Sequence, residues 1–170
     1  YASARNAVIK LSYGSLKDMP VLETGFVDLS DWLSRNASKK EQLRQNIKKA
    51  IEKRGSPPDQ KKGPPSQFDK LVNGEVCGLF SADTLEEILE ACRFKEEFPT
   101  IKSALLNPYE GYLATEQIAR AGFYCIIIPR YRGRQNANRM EEGGFSIELA
   151  ATLSKAGIKI AIIPTSPGVD

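Results

Sequence analysis

Short apolar runs and helix-period stretches alternate along this chain, loosely at first and then regularly from about residue 70. Val8-Ile9-Lys10-Leu11 predicts a strand over residues 8–12, closed by the turn signal Tyr13-Gly14. Residues 15–37 hold no sustained period and are expected to be irregular, with one helical turn around Ser30 to Leu33. Ser38-Lys39-Lys40-Glu41 has the form of a capping box. It predicts a helix through about Lys53 with Leu43, Ile47, Ala50 and Ile51 on one face. The other face is mostly Lys and Arg and reads as a solvated surface. Between Gly55 and Ser66, four prolines and two glycines exclude helix and central strand and predict a loop.

Beyond that loop the pattern predicts a strand over Val76 to Phe80, then a helix capped by Asp83 with Leu85, Ile88, Leu89 and Cys92 inward. Next come a strand over Ile101 to Leu106, a helix over Glu110 to Ala121 stopped by Gly122, and a strand over Phe123 to Pro129. A helix over Gly144 to Ala156 turns Phe145, Leu149 and Leu153 inward, is stopped by Gly157, and leads to a last strand at Ile158 to Ile163. The organisation is therefore 1–54 (strand, irregular segment, basic helix), 55–69 (loop) and 70–170 (a βαβαβαβ unit). Strand–helix alternation with short connections implies parallel strands and an α/β fold. Cys125-Ile126-Ile127-Ile128 is apolar on both faces, as in a strand covered on both sides. Five strands fit a flavodoxin-like sheet or the second half of an eight-stranded barrel, and periodicity does not separate them. Sequential neighbour order would mean half a barrel, and a reversal in mid-sheet a doubly wound fold.

Composition narrows the chemistry. The chain has 170 residues, enough for one domain or a large part of one, and its charged fraction of 26% is ordinary. It contains no histidine, which excludes a His-liganded metal centre and a His-based catalytic dyad built from these residues alone. A net charge of +3 without a polybasic tail gives no case for nucleic acid. No apolar run approaches the ~20 residues a bilayer demands, so no membrane span is expected. Cys77, Cys92 and Cys125 form no CxxC pair and are expected to be buried thiols, which fits a cytoplasmic setting. There is no GxGxxG or GxxxxGK[ST] to support a nucleotide loop, no charged-then-apolar signal segment is visible, and no cofactor is expected. The last residues, Ser166 to Asp170, directly follow a strong strand, which predicts that the chain is part of a longer polypeptide.

From Lys70 onward the chain carries four segments in sequence: Gly74-Glu75-Val76-Cys77-Gly78-Leu79-Phe80-Ser81-Ala82-Asp83; Leu106-Asn107-Pro108-Tyr109-Glu110-Gly111-Tyr112; Ile127-Ile128-Pro129; and Ala156-Gly157-Ile158-Lys159-Ile160-Ala161 followed by Ile162-Ile163-Pro164-Thr165-Ser166-Pro167. In these the sequence resembles the metal-dependent amidohydrolases of the imidazolonepropionase and prolidase-like type. Residues 8–14 match more loosely. The resemblance implies the C-terminal portion of a TIM-type (β/α)8 barrel. It also places the family's metal ligands on Ser81, Asn107 and Thr165, where none is kept. Some relatives carry a carboxylated lysine on a strand to which Lys10 corresponds, but that lysine only bridges metals held by other ligands.

Neutral hydroxyl and amide groups are weak donors for a divalent metal, and without one no water is acidified into a nucleophile. The resemblance therefore implies a domain that has lost its metal site, with a structural, regulatory or ligand-binding role. Ser81, Asn107, Arg130, Arg132 and Thr165 are its candidate ligand-binding residues. Two rivals remain: part of an active amidohydrolase whose catalytic residues lie outside this segment, and an open α/β module that binds an anion through Arg130, Arg132, Arg134 and Arg139. Five barrel strands cannot close an eight-stranded ring, and Ile9, Leu11, Ile160 and Ile162 lack the charges that protect natural edges. The remainder of a longer polypeptide, a second copy of the chain or a partner subunit is expected to cover them.

Overall fold

The computed structural model describes residues 24–55, 64–128 and 148–163. Five parallel strands lie in the order of the chain: β1 (Gly25–Asp28), β2 (Val76–Ser81), β3 (Ser103–Leu106), β4 (Tyr124–Ile127) and β5 (Ile160–Ile162). Five helices accompany them: α1 (Ala37–Gly55), α2 (Gln67–Asn73), α3 (Leu85–Glu97), α4 (Thr115–Ala121) and α5 (Leu149–Lys155). The order never reverses among the described strands, so the topological switch of a doubly wound sheet is absent from them. Parallel crossovers share one hand, so a sequential order places every crossover helix on the same face of the sheet.

Several elements differ from their reading in the sequence. The first strand of the sheet is Gly25–Asp28, inside the stretch expected to be irregular, while the strand expected at 8–12 lies outside the described residues. The helical turn at Ser30–Leu33 is present as a 3-10 turn. Helix α1 is capped by Asn36, whose Oδ1 accepts from the backbone N–H groups of Ser38 (3.0 Å) and Lys39 (3.3 Å). Ser38 thus lies inside the helix it was expected to cap. In α3 the cap is Thr84, in a reciprocal box with Glu87, rather than Asp83. Helix α2 has no counterpart in the sequence reading; Ser66 and Asp69 form its capping box, and Gly74 ends it at φ 77°. The single helix expected over 110–121 is a 3-10 turn, Gly111–Leu113, followed by α4. Gly122 and Gly157 adopt the expected left-handed conformation, at φ 74° and 77°.

The main core lies between the sheet and its helices. Trp32, Phe80, Phe94, Phe98 and Phe123 form a chain of edge-on rings, with Phe80–Phe94 centroids 5.0 Å apart and Trp32–Phe94 5.1 Å apart. Such pairs add about 0.5–1.5 kcal/mol each beyond the area they bury. Helix α1 contributes Leu43, Ile47 and Ala50, but Ile51 is 42% exposed and does not join the buried face. The basic face of α1 is not a plain solvated surface. Lys40 pairs with Glu90, Arg44 with Glu97 through both Nε and Nη2, and Lys53 with Asp69 at 2.8 Å. Arg44 also lies over the Trp32 ring, 5.0 Å from its centroid. A charged seam therefore fastens α1 to α3 and α2.

The opposite face of the sheet carries a second, smaller cluster. Cys77, Ala104, Ile126 and Ala161 are buried there among half-buried Phe26, Leu79, Leu106, Tyr124 and Ile163. The register sets Ser81, Leu106, Ile126 and Ala161 in one row across four strands. The strands are apolar on both faces, as in sheets covered on both sides.

Candidate functional site

In a parallel α/β sheet the chemistry belongs at the C-terminal ends of the strands, where the loops to the following helices gather. Ser81 closes β2 and Asn107 follows β3, so both stand at that end. Thr165, Arg130, Arg132, Arg134 and Arg139, together with Lys10, lie outside the described residues.

Ser81 is exposed, and its backbone N–H donates to Ser30 Oγ at 3.1 Å. The Ser30 N–H in turn donates to Asp28 Oδ1 at 2.8 Å. A polar chain thus runs from the end of β1 to the end of β2 and leaves the Ser81 hydroxyl at the surface.

Asn107 is bound into the frame. It is the one non-glycine residue at positive φ (54°) among the described residues, a conformation that Asn tolerates better than most side chains. Its N–H donates to Ile126 O at 2.8 Å, and its side-chain Oδ1 accepts the Ile128 N–H, also at 2.8 Å. Its carbonyl accepts the Tyr109 N–H at 2.7 Å, while the Tyr109 hydroxyl donates to Ile128 O at 3.2 Å. The Asn107 side chain extends the ladder between β3 and β4 by one rung.

The rest of the motif is equally structural. Glu110 Oε2 accepts the N–H of Leu85, the first residue of α3, at 2.6 Å, and Glu110 N–H donates to Asp83 O at 3.2 Å. The Glu110 and Glu87 carboxylates thereby answer the orphan N–H groups and the positive end of α3. A Cβ on Gly111 would lie 3.3 Å from Pro108 Cβ and 3.4 Å from Ile118 Cδ1, so the close packing of this turn calls for glycine. These roles were missed in the sequence. Their partners lie 21 and 25 residues away, beyond any local pattern.

A divalent metal at this end would find a neutral hydroxyl on Ser81 and an amide oxygen on Asn107 already accepting a backbone N–H. By themselves these two neutral donors do not fit such an ion. Among the described residues no three His, Cys, Asp or Glu side chains gather into a metal site. The three cysteines are buried and unpaired. Burial pushes the Cys77 and Cys125 thiols up to about 12 and Cys92 to about 11, which removes them as nucleophiles at neutral pH. No described helix is long and apolar enough to cross a membrane.

No family model and no curated protein matches the chain. Among solved structures, a crystal structure of an amidohydrolase from Thermotoga maritima is similar over 77% of this chain, with a TM-score of 0.57 and 18% identity. The chain spans 36% of the length of that protein. At this identity the likeness is one of fold: the chain has an amidohydrolase-like α/β architecture, of which the parallel sheet forms part.

Proposed function

We propose that this chain is the C-terminal portion of a TIM-type barrel of the amidohydrolase kind that has lost its metal site and acts as a pseudoenzyme, in a structural, regulatory or ligand-binding role. The observation that carries the reading is Asn107. At the place where the resembling family keeps a histidine ligand, its Oδ1 is spent on the Ile128 N–H. Ser81 supports the same reading, since its hydroxyl is a neutral donor at the other matched position. A ligand at this end would meet the Ser81 hydroxyl, with Arg130, Arg132 and Thr165 as further contacts.

The sequential sheet supports the barrel. Among the described residues all crossover helices share one face, and the other face is apolar without helices of its own, as expected of strands that line a barrel interior. Further strands of the same polypeptide are the favoured cover for the β1 and β5 edges, because the neighbouring structure continues well beyond the matched region.

The test is elemental analysis of the purified, dialysed chain together with any adjoining polypeptide. The expected result is no stoichiometric zinc, iron or manganese. One tightly held metal per chain, with C–N bond hydrolysis that chelation abolishes, would favour the rival reading, in which residues outside this segment complete an active amidohydrolase.

A further inference from the structure

A groove of about 550 Å³ opens between α3 and α4 on the helical side of the fold. It borders the last two turns of α3 and the end of α4. Helices in these crossovers run against the strands, so the groove lies toward the opposite end of the sheet from Ser81 and Asn107. Three cationic side chains line it, Arg93, Lys95 and Arg120, against one carboxylate, Glu96. Leu89, Cys92 and Ala121 supply an apolar wall.

Lys95 gives the groove its character. It is only 8% exposed, and its ammonium donates to Ile101 O at 2.6 Å and Pro99 O at 3.1 Å, with no carboxylate partner among the described residues. A buried cation held by neutral carbonyls leaves a positive field in its surroundings. Arg120 is exposed and makes no ion pair among the described residues. Arg93 reaches Glu90 at 2.6 Å and remains largely in solvent.

We propose that this groove binds a small oxyanion ligand, a phosphate monoester or a carboxylate with a short apolar group. The anion is held by Arg120 and Arg93 over the field of Lys95, and the apolar group lies on Leu89, Cys92 and Ala121. Glu96 opposes the anion and sets a ceiling on affinity.

The test is a titration of the full chain with inorganic phosphate and with butyl phosphate, followed by backbone amide shifts at ionic strength held constant with chloride. Saturable shifts confined to the groove are expected, with tighter binding of butyl phosphate. Arg120→Gln should weaken binding roughly two- to fivefold and Glu96→Gln should strengthen it, as expected for exposed charges. Both are surface changes that leave the core intact, and retained native amide spectra verify this. Shifts that never saturate, that spread over the lysines of α1, or that ignore both substitutions would overturn the proposal. None of these outcomes bears on the metal-free reading of Ser81 and Asn107.

Discussion

Ile127 and Ile162 are register partners in β4 and β5, yet Ile127 is 6% exposed and Ile162 is 48% exposed. The two side chains lie on the same face of the sheet because partners in a parallel pair share a face. Among the described residues the helical layer covers β4 and, on β5, reaches Ile160 but not Ile162.

This difference predicts unequal costs for the same substitution. Ile127→Ala removes a buried side chain and should cost about 2–5 kcal/mol. Ile162→Ala should stay within about 0.5 kcal/mol in the isolated chain. Urea denaturation of both variants checks this. If Ile162→Ala cost as much as Ile127→Ala, β5 would already be covered in solution.

Asn107 yields an ordered series. Asn107→Ala loses the acceptor for Ile128 N–H and puts into the left-handed region a residue that tolerates it less well than Asn, at about 1–3 kcal/mol. Asn107→Gly relieves the backbone and still loses the acceptor. Asn107→Asp keeps it and should be the mildest of the three. Thermal melts give the ranking, and an alanine variant no weaker than the aspartate one would show that the side-chain bond contributes nothing.

Acid should loosen the seam around α1. Lys53 and the Ser66 N–H hold the Asp69 carboxyl below its ordinary value, and at Glu90 the upward push of burial is outweighed by Lys40 and Arg93. A depressed folded pKa contributes stability above the unfolded value and loses it as pH falls through the folded one. Stability should therefore decline as pH drops below about 5. Lys53→Met should flatten part of that decline, because the Asp69 pKa then returns toward its unfolded value. Melting temperature against pH reads both effects.

The cysteines should be silent toward a thiol reagent in the native chain at neutral pH, since all three are buried and raised to about 11 or 12. All three should react at once in denaturant. Rapid labelling of one thiol under native conditions would place it at the surface.

The regular half of the chain was legible because its signals are local. The four later strands announce themselves as apolar runs, and Gly122 and Gly157 stop their helices as glycines do. β1 was not, because Gly25-Phe26-Val27-Asp28 holds only two apolar residues, one for each face of the sheet. Its strand state comes from pairing with β2, a tertiary effect. The caps were misplaced by one or two residues, since neighbouring Asn36 and Ser38, or Asp83 and Thr84, are all able cap residues and geometry chooses among them. Of the candidate site, the positions of Ser81 and Asn107 at the strand ends were legible. The fact that Asn107 serves the backbone was not, because its partner is 21 residues away.

The Glu110–Leu85 bond makes the start of one helix depend on a turn that the chain reaches 25 residues later. Loop length after β3 is then under a constraint unrelated to any ligand. One residue added between Asn107 and Glu110 would draw the carboxylate away from α3 and fray its first turn, with Phe94 and the aromatic chain downstream of the damage. Whatever binds at the strand ends, folding alone would keep this spacing, and with it the Glu-Gly pair.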